Sequence, residues 1–233
     1  MNKTLYAAPI ACALLVPATA GAHVSVAGPA FANTTWEANF NVGHGCEGHD
    51  TYSVKVEIPA GVTSVRPIDS VFGKAFVTRD QAGAVTTITW TKEQIDVLPQ
   101  DDNYYRLSAR MRLPNTPFAK VFFPTTQVCR DAVGAETIVE WIGTGAEPIP
   151  TDGAAPPEPA PAVTLLPARV PGWNKYTVAT AVSDLGLFSD AEIVWSGDAA
   201  YSVNPNLAAL IGVEPGTTAL TTILAGSEIW VKY

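Results

Sequence analysis

The chain is poor in charge: Asp, Glu, Lys and Arg make up 15% of its 233 residues, and acids outnumber bases by 22 to 14. A formal net charge of −8 lacks the basic footprint that phosphate backbones and anionic membrane surfaces require. Methionine is scarcer still, with Met1 and Met111 the two in the chain. That shortage excludes a thioether-rich site of the kind that holds Cu(I). There is no Gly-rich phosphate loop, no G-x-S-x-G elbow, no heptad and no short-period repeat, so the common readings that rest on them lose their support. Glu37, Glu47, Glu57 and Glu140 fall among the strands described below, but no spacing pairs two of them at a catalytic separation, and no acid/base enzyme is expected.

Long apolar runs are also missing beyond the first residues. That first stretch has Lys3, an apolar run from Ala7 to Val16 interrupted by Pro9, then Pro17, and the small residues Ala20-Gly21-Ala22 before His23. The run falls short of the roughly 20 residues that span a bilayer. Residues 1–22 read as a cleaved secretory signal peptide, which places the mature chain in the periplasm or outside the cell with no membrane span. Cleavage removes Lys3 and no acid, moving the formal charge from −8 to −9, and it takes Cys12 from the three cysteines. The remaining Cys46 and Cys129 are expected to form a disulfide in an oxidising compartment, a two-thiolate metal site being the alternative. The bridge should stabilise the fold by roughly 3–5 kcal/mol.

From His23 to about Gly143 the chain alternates apolar and polar residues in short runs: Trp36-Ala38-Phe40-Val42, Tyr52-Val54-Val56-Ile58, Ala84 to Trp90, Tyr105 to Leu113, Val121 to Phe123 and Thr137-Val139-Trp141. Period-2 runs with no long helices between them predict an all-β, antiparallel sandwich, immunoglobulin-like or cupredoxin-like. Residues 144–171 are rich in Pro, Ala and acids and read as an extended linker or a strap on the surface. Residues 172–233 read as a small α+β unit. It has an extended start at Trp173, a helix from Asn204-Pro205 to Ile211, a second helix over Thr217–Leu224 stopped by Gly226, and a final strand over Glu228–Tyr233. Of the six tryptophans, five are expected to serve core packing.

His23 is the most informative residue, because cleavage would leave an imidazole and a free α-amino group on one residue, able to chelate one metal. Nitrogen donors in a near-planar set suit Cu(II), whereas zinc prefers a tetrahedral set. The other histidines, His44 and His49, lie in Gly43-His44-Gly45-Cys46-Glu47-Gly48-His49-Asp50. Their spacing is no zinc signature, and they read as loop residues that could serve as reserve ligands.

His23-Val24-Ser25-Val26, His44-Gly45-Cys46-Glu47-Gly48, Val56 to Val62, Ile88-Thr89-Trp90-Thr91, Phe122-Phe123-Pro124, Gln127-Val128-Cys129 and Val139-Glu140-Trp141-Ile142-Gly143 together resemble the YcnI-like family of bacterial exported copper-binding proteins. The resemblance implies a β-sandwich over residues 23–143 that holds Cu(II) through the N-terminal histidine, here His23, beside a tryptophan, here Trp141. It also implies an acidic ligand, for which Glu47 is the first candidate and Glu57 the second. The cysteine-containing His44-Gly45-Cys46 loop departs from the family pattern, and His44 or His49 could replace the carboxylate. The expected role is copper trafficking or homeostasis, together with other exported copper chaperones or membrane copper transporters, and not catalysis. A copper-dependent oxidase with two histidines and a non-metal binding module of the cell envelope are the alternatives. Exposure of Trp173 or Trp230 would favour the last.

Overall fold

The computed structural model describes residues 23–148, 150 and 154–233; the expected signal peptide lies outside the described residues. Two sheets, antiparallel except for the edge strand Glu158–Pro159, build the sandwich. One runs in the order Val24–Val26, Thr35–Val42, Tyr105–Arg112, Thr63–Pro67, and the other in the order Glu158–Pro159, Glu136–Gly143, Thr125–Arg130, Asp50–Glu57, Val85–Thr91, Lys74–Arg79. The alternation in sequence is the alternation in space. Ala38, Phe40 and Val42 of one strand and Leu107, Ala109 and Met111 of its neighbour are buried, while Arg106, Arg110 and Arg112 between them stay outside. Facing them are Val54, Val56, Ile88 and Trp90. Phe40 joins the two faces, its ring 6.1 Å from Trp90 and 5.5 Å from Phe123.

The Pro-rich stretch behaves as a strap. Glu158–Pro159 runs parallel to Glu136–Gly143, and Ala162–Leu166 pairs with Ala30–Phe31 and Lys120–Phe122. Prolines without an N–H donor are tolerated at a sheet edge, and covering that edge removes a template for pairing with other chains. The contact is close: a Cβ on Gly143 would stand 2.6 Å from the Pro157 carbonyl oxygen. The sandwich therefore extends past Gly143 into the segment expected as linker.

The C-terminal unit is a five-stranded sheet in the order Trp173–Thr177, Glu228–Lys232, Ile193–Ser196, Ala199–Tyr201, Thr218–Ala219. The helix Pro205–Ile211 forms where expected, with the Asn204 side chain accepting from the Asn206 N–H at 2.9 Å, a standard N-cap. The expected second helix does not form. Thr217–Leu224 instead contains the short strand Thr218–Ala219 and a bridge from Ile223 to Val182. Thr217, Thr218, Thr221 and Thr222 are stiff, β-branched residues that favour extended backbone. The unit docks on the sandwich through Phe118, whose ring lies 5.6 Å from Tyr176 and 5.5 Å from Phe188. Arg169 adds an ion pair with Asp190 and stacks 4.9 Å from the Tyr233 ring.

A buried polar cluster at one end of the sandwich carries no sequence signature. Asp50 and Lys92, both nearly inaccessible, approach to 2.5 Å between Nζ and Oδ2. The Tyr105 hydroxyl donates to Asp50 Oδ1 at 2.7 Å, and the Leu98 N–H donates to Oδ2 at 2.8 Å. The Lys92 ammonium also lies 4.3 Å from the Tyr105 ring centroid and 5.0 Å from that of Phe72. Burial, and next the Asp50 carboxylate, push the Tyr105 phenol well above its usual range. Removing one partner strands a charge, so Lys92→Met should lower stability by about 3–5 kcal/mol in urea titration. Tyr105 stays neutral in the fold above the pH at which the free phenol ionises, near 10.0. Its contribution is therefore complete below that pH and lost as pH rises further, so the urea midpoint should fall above pH 10 in the wild type and less steeply in Tyr105→Phe.

Candidate functional site

His23 sits exposed at the head of the Val24–Val26 strand, whose register pairs Val24 with Val42. The next residues outward on the two strands are His23 and Gly43, with His44 following. Across the sandwich mouth the His23 ring meets Trp141, centroids 4.9 Å apart and planes tilted by 54°. Trp141 pairs with Thr125, which pairs with Val56, so this row turns its side chains to the core, and Trp141 is 3% exposed. Among the described residues its indole Nε1, like that of Trp90, is buried without a hydrogen-bond partner. The structure thus brings the first predicted ligand and the predicted tryptophan into contact.

The loop beside them is pinned from several sides. Cys46 and Cys129 form a disulfide across 83 residues, tying the end of one sheet to the other. Cys46 and His49 exchange backbone hydrogen bonds of 3.1 and 2.9 Å around a two-residue turn, with Glu47 at φ 52° and Gly48 at φ 84°. Both residues of such a turn are left-handed, which explains the glycine at its second position. Gly45 is fixed by space: a Cβ there would lie 1.8 Å from the His49 carbonyl oxygen. The buried Gln127 side chain donates to the His44 carbonyl at 3.0 Å.

Asp101, distant in sequence, completes the setting. It accepts from the Gly45 N–H and places Oδ2 3.5 Å from His44 Nδ1, which also faces the Gly45 carbonyl at 2.8 Å. Two acceptors face Nδ1, so a ring that carries a proton there would present Nε2 as its ligand atom, the arrangement found in metal-binding histidines. Nothing in the sequence distinguishes Asp101 from other loop acids. Its role comes from the fold.

The remaining predicted residues fall elsewhere. Glu57 follows the inward-facing Val56, points outward, and comes within 3.8 Å of Lys55; strand alternation keeps it off the His23–Trp141 side. Glu47 is exposed at the tip of its turn and His49 is half-buried beside the disulfide. Among the described residues no three His, Cys, Asp or Glu side chains gather as a metal cluster. The expectation that five tryptophans pack in cores is corrected too. Trp90 and Trp141 are buried, Trp36 and Trp195 are partly so, and Trp173 and Trp230 are about half exposed.

A family model described as a domain of unknown function, DUF1775, matches residues 23–165. A search of curated proteins finds no match. Among solved structures, an uncharacterized protein from Nocardia farcinica with an immunoglobulin-like fold is similar at 26% identity, covering 62% of this chain and 98% of its own, with a TM-score of 0.48. The major pilin subunit of Bacillus cereus is similar at 10% identity over 89% of this chain and 54% of its own, with a TM-score of 0.36.

Closing a loop of 83 residues restricts the unfolded chain, which corresponds to roughly 4–5 kcal/mol in the chain-entropy picture. Cys46→Ala/Cys129→Ala should lose stability on that scale in denaturant titration. Gly45→Ala should separate the anchored loop from the rest of the fold, read as faster amide exchange at Gly45 and His49 with the sandwich core still protected.

Proposed function

We propose, for a chain that belongs to the DUF1775 family over residues 23–165, that its mature form begins at His23 and holds Cu(II) through the His23 amine and imidazole. The observation that carries this reading is the contact of His23 with the buried Trp141. The donors fit the ion: a terminal amine and imidazoles are the nitrogen set that Cu(II) prefers.

His44 is the preferred further ligand, because its Nδ1 faces the Gly45 carbonyl and Asp101, which turns Nε2 to the metal-binding role. Glu47 is the alternative, with His49 in reserve. Bound copper would supply a tightly held divalent centre. The chain's own part is to fix the imidazole of His23 against Trp141, to orient His44 through Asp101, and to lock the loop with the disulfide. A pinned, exposed site with few ligands suits a carrier that buffers copper or passes it to other exported chaperones or membrane transporters. The net negative charge adds a weak long-range attraction for the cation. The same His44 geometry is what supports the alternative of a copper oxidase.

Titration with Cu(II) of the protein starting at His23, against a form with one glycine added before it, tests the reading. The added residue removes the chelating amine and should abolish tight binding; equal affinity in both forms would sink the proposal. His44→Ala and Asp101→Asn should each weaken binding by roughly 10–100-fold, whereas Glu57→Gln should leave it unchanged. Protons compete for the amine and imidazoles, so affinity should fall as pH is lowered from neutral. Oxygen consumption by the copper-loaded protein with a reductant, beyond that of free copper, would favour the oxidase.

A further inference from the structure

The outward face of the C-terminal sheet carries an aromatic platform that neither hydrophobic core nor the His23 site uses. Side chains alternate along each strand. Tyr176, Ile229, Val231 and Val194 pack into the unit's own core, so Trp173, Trp230 and Trp195 fall on the opposite face. The register sets Trp195 directly across from Trp230, and Trp173 across from Lys232, diagonal to Trp230. Trp173 is 51% and Trp230 47% exposed. Together with Gly197 the three indoles line an open cavity of about 440 Å³. Gly197 belongs to the turn between Ser196 and Ala199 and has φ 61°, so the residue at the cavity rim is one without a side chain.

Three features define what this face accepts. The indoles sit on three adjacent strands, whose spacing of about 4.8 Å carries them roughly 10 Å across the sheet, so they form an extended surface and not a single slot. The neighbouring charges cancel in pairs: Lys175 meets Glu228 and Lys232 meets Glu192, each at 2.7 Å. The chain as a whole carries −8, which repels polyanions such as nucleic acids and acidic glycans. What remains is an open aromatic surface whose flanking charges are paired, with the Lys175 ammonium 5.7 Å from the Trp230 ring centroid.

A pyranose ring is the complement of such a surface. Its apolar C–H face lies against the electron-rich face of an indole, and its equatorial hydroxyls reach the ion-paired rim. A proline-rich peptide docks in an aromatic-lined groove, whereas these indoles are spread over three strands of an open sheet face. We propose that Trp173, Trp195 and Trp230 form a binding platform for an uncharged, β-linked polysaccharide, whose extended ribbon presents successive apolar sugar faces. The platform anchors the protein to a glycan matrix and is separate from the His23 site.

The test uses the full mature chain. Cellohexaose and chitohexaose are titrated by calorimetry and by tryptophan fluorescence, and insoluble cellulose and chitin are used in sedimentation. At least one of the two sugars should bind and shift the tryptophan emission. Trp173→Ala and Trp230→Ala should each weaken that binding by roughly tenfold, and Trp230→Phe should retain most of it. His23→Ala should leave it unchanged, so failure here and failure of the copper reading are told apart. Unchanged circular dichroism of the exposed-residue variants excludes unfolding as the cause. The proposal is overturned if neither sugar binds, if a Trp173→Ala/Trp230→Ala double variant binds as the wild type does, or if alginate or a proline-rich decapeptide binds in their place.

Discussion

The sandwich is closed at one end by a covalent tie between its sheets. The Cys46–Cys129 disulfide joins the loop leaving one sheet to a central strand of the other, and the loop it secures contains His44, Glu47 and His49. Without this tie the segment would be a glycine-rich connection with few apolar anchors, and such segments open at little cost. With it, Gly45 can sit against the His49 carbonyl, and the His44 ring can be held by its Nδ1.

The buried Asp50 acts on the same loop from below. Its carboxylate takes the Lys92 ammonium, the Tyr105 hydroxyl and the Leu98 N–H. The last of these bonds fixes the start of the irregular stretch that carries Asp101, and Asp101 in turn holds Gly45 and His44. A chain of charge-assisted contacts therefore runs from the sandwich interior to the rim beside His23. Each link satisfies a buried or half-buried polar group that would otherwise be costly, so positioning of the rim follows from satisfying the interior.

The parts legible in the sequence are those set by local periodicity and by single-residue chemistry. Alternation in Thr35–Val42 and Tyr105–Arg112 marks half-buried strands, and Asn204-Pro205 marks a helix start, because each rests on neighbouring residues alone. His23 and Trp141 were readable as a pair through the family resemblance, and the two cysteines through their compartment. Asp101, Lys92 and Tyr105 were not, since their roles depend on partners 13 to 56 residues away. Glu57 misleads for the opposite reason: it looks like a ligand until the strand's inward face is known. The threonine-rich Thr217–Leu224 shows β-branching outweighing a helical pattern, and Trp173 and Trp230 show that alternation reveals two faces without saying which is wet.

The strap of residues 156–166 has a consequence for how the chain is made. The Glu136–Gly143 strand is complete while its covering partner, Glu158–Pro159, is still to be synthesised. Until that partner docks, the Glu136–Gly143 strand presents a bare β-edge. The sandwich closes only when Ala162–Leu166 has paired with Ala30–Phe31, near the start of the domain. An early strand and the last strand of the domain are then held side by side, so completion of the domain is registered by contact between its two end regions.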